Sequence, residues 1–134
     1  MTVETDYNNA NILVKRGDTT IHTFTYKEFV PASEIKKIND IKSVIAKIYK
    51  KEASDDVQEE LEKAEAEYFN TILSIAVENP IPHEQALEKF SLPEINSISE
   101  EAYIFLVTWS STEGVKQYGQ SLAKQQTTKK DTSS

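Results

Sequence analysis

Hydrophobic positions along this chain follow two periods, and the change falls near Pro31. Before it, Ile12-Leu13-Val14-Lys15 and residues 19–26 are rich in β-branched and aromatic side chains and flank Arg16-Gly17-Asp18. Gly-Asp is turn chemistry that tolerates a positive φ, so the pattern predicts a β-hairpin. In its second strand His22, Phe24 and Tyr26 share one face, and Ile21, Thr23 and Thr25 the other. The aromatic face is expected to pack on helices, because two strands alone are marginal in water.

Beyond Pro31 the apolar residues recur every three or four positions. Ile35, Ile38, Ile41, Val44, Ile45, Ile48 and Tyr49 predict an amphipathic helix over residues 34–51, with Ser33 as N-cap. Val57, Leu61, Ala64, Tyr68, Ile72 and Ile75 predict a second over 55–78, opened by an Asp55/Gln58 capping box and stopped at Asn79-Pro80. Leu61, Tyr68 and Ile72 are its expected core residues. A short helix after Pro82 carries Ala86, Leu87 and Phe90. Ser91 and Glu94 have capping-box spacing, and Ile95, Ile98, Ala102, Phe105, Leu106 and Trp109 continue at helical spacing. Ser99-Glu100-Glu101 can divide this run, and residues 103–109 alone also read as a buried strand. Thr112 is placed to cap a last segment carrying Val115, Tyr118 and Leu122, which Gly114 and Gly119 weaken.

The pattern therefore predicts an α+β fold that is mostly α. An N-terminal β-hairpin is followed by an antiparallel pair of long helices and two to three shorter helices. Residues 1–11 read as a flexible N-terminal arm, 12–123 as a single globular domain, and 124–134 (ending QQTTKKDTSS) as a disordered polar tail.

Composition narrows the chemistry. The 134 residues include 15 Lys plus Arg and 22 Asp plus Glu, a net charge of −7, with no Cys and three Gly. Zero Cys removes disulfides, thiolate metal sites and a cysteine nucleophile. The acidic balance disfavours direct binding to nucleic acid or anionic lipid. Met1 to Asn11 is polar and lacks the apolar core of a signal peptide, and no apolar run is long enough to span a bilayer. A soluble, cytoplasmic protein is expected.

Charge is divided between the two long helices. Residues 34–51 hold six Lys against Glu34 and Asp40, a net of +4, whereas 52–67 hold eight acids against Lys63, a net of −7. Two readings follow. The helices compensate each other, each such exposed pair contributing about 0–1 kcal/mol, or the acidic helix docks a basic partner. In the second reading Glu59, Glu60, Glu62 and Glu67 form the partner-binding rim.

Catalytic signals are weak. His22 and His83 have no nearby residues that complete a catalytic set, and His83, Glu84 and Glu88 lack the helical phase of a shared metal site. Both histidines read as surface residues. Trp109, Tyr103 and Phe105 read as core, and Arg16-Gly17-Asp18 as a turn. No enzyme activity, cofactor or metal is expected.

The hairpin NILVKRGDTTIHTFTYKEF leading into SEIKKI, the helix end ILSIAVENP and the run LPEINSISEEAYIFL, taken in that order, resemble the tail assembly chaperones of long-tailed bacteriophages over residues 11–110. The resemblance implies a protein without catalytic residues that coats the extended tape-measure protein, recruits tail-tube subunits and self-associates. Apolar helix faces bordered by acid suit transient binding of long helical clients. The competing expectation is a small acidic phage inhibitor, acting against host defence or in host takeover, that docks on a basic site of a host protein and in one form mimics nucleic acid.

Overall fold

A computed structural model describes residues 2–132, with side chains through residue 125. Three strands, β1 (Thr2–Asp6), β2 (Asn11–Arg16) and β3 (Thr19–Thr25), form an antiparallel sheet in the order β1-β2-β3. Among the described residues five helices follow: α1 (Ala32–Tyr49), α2 (Asp55–Ala76), α3 (His83–Lys89), α4 (Leu92–Thr108) and α5 (Thr112–Thr132). The α+β, mostly α architecture expected from periodicity is present, and residues 99–108 are helix.

Gly17 (φ +62°) and Asp18 make the two-residue turn between β2 and β3. The expected arm is different: Thr2–Asp6 is a third strand, paired with β2 from Thr2↔Lys15 to Asp6↔Asn11. Hydropathy misses it because Val3 is its one aliphatic residue and polar groups hold it. The Thr5 hydroxyl lies 2.8 Å from the Tyr26 hydroxyl and donates to Glu101 of α4 at 2.7 Å. Tyr7 then packs edge-on against Trp109 and Tyr118.

Ile12, Val14, Phe24 and Tyr26 project from one sheet face into a core completed by Ile72, Leu73 and Ala76 of α2 and by Ile98, Ala102, Phe105 and Leu106 of α4. Phe24 and Tyr26 are buried as predicted, whereas the His22 ring is half-buried between Phe24 and Phe90. The surface reading of His22 is thus corrected. Burial and the neighbouring Lys89 ammonium, 2.7 Å from Nδ1, lower its pKa.

Several caps differ from expectation by one or two residues. α1 begins behind Pro31, which has no side-chain cap bond, so Ser33 is inside the helix. Ser54 caps α2 by accepting from Val57 N–H, and Gln58 turns to Glu62 instead of completing a box. Ser111, not Thr112, accepts from Gly114 N–H at the start of α5. The Ser91/Glu94 box forms as predicted. Gly119 permits close approach of α5 to the turn after β1: a Cβ there would lie 2.6 Å from Tyr7 Cβ. Helical backbone continues through residues 124–132, where composition predicted a disordered tail; residues 133–134 lie outside the described residues.

Trp109, Tyr103 and Phe105 separate. Phe105 is core, Trp109 is half-buried beside Tyr7 and Tyr118, and Tyr103 is half-buried with Lys42 Nζ 3.5 Å above its ring.

Glu94 also joins two layers. Its buried carboxylate accepts from Ser91 N–H at 2.8 Å and from Arg16 Nη2 at 2.9 Å, tying the end of β2 to the start of α4. Arg16 foremost, then the Ser91 bonds, hold its pKa at about 2 against the ordinary 4.5, although burial opposes them. A depressed carboxyl pKa contributes stability above its unfolded value and loses it as pH falls through the folded one. Glu94→Gln is therefore expected to lower stability at pH 7 and to flatten the loss between about pH 4.5 and 2, as measured by urea unfolding across pH. Ile72 is fully buried but Leu61 only half, so Ile72→Ala should cost about 2–5 kcal/mol and Leu61→Ala clearly less.

Candidate functional site

α1 and α2 form the predicted antiparallel hairpin, but half of it extends past the body of the protein. α2, with 22 residues, is about 33 Å long. Its second half, from Tyr68 and Phe69 to Ala76, packs on the sheet and α4. Its first half packs on α1. There Ile48 and Ala64 are buried yet stand apart from the continuous core, and Val57, Leu61 and Ile45 are half-buried. The spacing of Leu61 is that of a core residue, but this part of the hairpin has no third layer.

The projecting hairpin faces the corner made by α3 and the start of α4, leaving a groove of about 1120 Å³. Ile45, Ala46 and Tyr49 line it from α1, Ala66, Tyr68 and Phe69 from α2, Leu87 from α3, and Leu92, Ile95 and Tyr103 from α4. Tyr49, Leu87 and Leu92 are 65%, 49% and 66% exposed at its mouth. The 42/45/46/49 and 92/95/96/99/103 spacings each put one helical face on the groove. His83 also lines it, edge-on to Phe69 at 5.4 Å, so it is a groove residue and not an isolated surface histidine.

Among the expected rim residues, Glu59 and Glu62 line the groove, joined by Glu65 and Glu100, which sequence reasoning did not select. Glu60 turns away to Lys51 at 3.0 Å, and Glu67 is exposed outside the lining. Sequence missed Glu65 because choosing between adjacent acids requires knowing which face of α2 meets α1. Periodicity did carry a signal: Glu62, Glu65 and Phe69 step by three and four along one face.

Charge compensation across the hairpin is sparse. Among the described residues, Lys51 is the one lysine of α1 or its C-terminal flank within ion-pair distance of an α2 carboxylate. Lys37 pairs with Glu34 on its own helix, and Lys42 sits on Tyr103. Glu65 instead accepts from the Tyr49 hydroxyl at 3.2 Å, which raises the Tyr49 pKa. No cluster of three or more His, Asp or Glu is placed to hold a metal among the described residues. Nor is any described helix long and apolar enough to cross a membrane.

The exposed groove positions should be separable from the fold. Leu87→Asp and Leu92→Asp are expected to change stability by no more than about 0.5 kcal/mol, whereas Phe69→Ala, in the buried floor, should cost about 3–5 kcal/mol. Chemical denaturation of the three variants checks this.

Known protein families, curated proteins and solved structures give no match to this chain, so its functional reading rests on its own residues.

Proposed function

We propose that this protein is a non-enzymatic binding factor that holds a helical segment of a client protein in the groove between the α1–α2 hairpin and the α3–α4 corner. The client class is that implied by the resemblance to phage tail assembly chaperones: tape-measure and tail-tube proteins during virion assembly. The observation that carries the reading is the apolar floor of the groove, open to solvent and bounded by helical faces. Exposed apolar surface of this kind marks interaction sites. A helix is about 10–12 Å across, and docking in a groove uses anchors at i, i+3 or i+4, and i+7. A groove of about 1120 Å³ suits two to three turns of such a helix.

Photocrosslinking in the cell of origin tests the proposal. A benzophenone amino acid replaces Leu87 or Leu92 in the full chain, and mass spectrometry identifies the captured segment. A heptad-patterned or amphipathic segment of a long helical protein is the expected product. Capture of the surface of one folded enzyme, equally efficient from a probe at Glu67 outside the groove, would overturn the proposal in favour of the inhibitor reading.

A further inference from the structure

We infer that the groove selects an amphipathic helix whose apolar stripe is bordered by lysine or arginine on the side that meets α2. This rests on the helix-holding reading above and adds the chemistry of the occupant. The apolar floor supplies the area for docking, and the walls supply the sign. Glu59, Glu62 and Glu65 follow one another at intervals of three along the α2 wall, and Glu100 stands on the α4 side. Two ammonium groups line the same groove, Lys42 and Lys63, against these four carboxylates. Lys42 is engaged over the Tyr103 ring, and Lys63 pairs with Glu59 at 3.6 Å. Glu62 meets the Gln58 amide and Glu65 the Tyr49 hydroxyl, both neutral donors. Neither has an ion-pair partner among the described residues, and Glu100 has none either.

A docked helix displaces water from this wall and lowers the local dielectric, so the unpaired carboxylates then interact more strongly with whatever charge the helix brings. Lys or Arg on its flank gains charge-assisted bonds, while Glu or Asp there is repelled. A second copy of this chain is a poorer occupant, because its own lysine-bearing helix α1 is already packed on α2. Its net charge is −7, equal to the net charge of residues 52–67 alone.

The test uses fluorescence anisotropy with the full chain and two labelled helical peptides of equal length. They share one leucine stripe, flanked by Lys in one and by Glu in the other. The Lys-flanked peptide should bind with a Kd at least about tenfold lower, and raised salt should shrink that gap. Glu62→Lys with Glu65→Lys should reduce the preference to about twofold or reverse it. Both positions are solvent-exposed, and circular dichroism verifies that the variant stays folded. Leu87→Asp should weaken both peptides. Equal binding of the two peptides, or a preference untouched by the Glu62/Glu65 exchange, overturns the inference but leaves the helix-holding function standing. Affinities that Leu87→Asp leaves unchanged place the binding elsewhere and overturn it as well. So does failure of both peptides to bind, and the crosslinking result then judges the broader function separately. A dimer that dissociates on Leu87→Asp and is not displaced by the Lys-flanked peptide would make a second copy the occupant.

Discussion

The length of α2 relative to the body it packs on is the constraint from which the groove follows. A helix about 33 Å long meets a sheet and α4 that cover its C-terminal half. Where all layers are present, Phe69, Ile72, Leu73 and Ala76 disappear into a continuous core. Where they are not, α1 is the chief neighbour, and the apolar residues of both helices stay partly open. The projecting hairpin then becomes one wall of a groove whose other wall is the α3–α4 corner. A hairpin two turns shorter would bury its apolar stripe and have no such wall.

Holding that corner in place takes more than apolar packing. The Arg16–Glu94–Ser91 node fixes the start of α4 against the end of β2, so Leu92, Ile95 and Asn96 face the groove at a set angle. Midway along α4, Thr5, Tyr26 and Glu101 join the first strand to the helix through side-chain oxygens. Buried polar groups in satisfied networks specify one arrangement more than they add stability. Both networks flank the apolar centre, and they place the fixed wall while the α1–α2 hairpin supplies the projecting one.

Electrostatics gives the groove a sign because the two charged helices do not cancel at contact range. In an antiparallel hairpin the residues that meet are those on the shared face, and here that face is apolar: Ile38, Ile48 and Ala64. Lys36, Lys37 and Lys47 lie on other faces of α1, and the Glu62–Glu65 edge of α2 turns to the groove. Opposite net charges on adjacent helices thus coexist with an unpaired acidic edge.

The sequence by itself determined the elements whose signal is local. A 3.6-residue period marks α1, α2 and α4 because one stripe of each is kept from water. Gly17-Asp18 sets the hairpin turn because Gly accepts a positive φ, and the Ser91/Glu94 box sets the start of α4 because both partners lie within one helical turn. Tertiary structure decided what depends on residues distant in the chain. β1 escaped detection because backbone pairing and polar bonds from Thr5 hold it, and neither leaves a hydropathy pattern. Leu61 and Ile72 share one periodicity, but only the three-dimensional extent of the body separates the open position from the buried one. The acidic run was legible as composition. Which of its carboxylates share a surface was not, since the division of Glu59, Glu62 and Glu65 from Glu60 and Glu67 follows from the rotation of α2 against α1 and α4, and that rotation is set by packing.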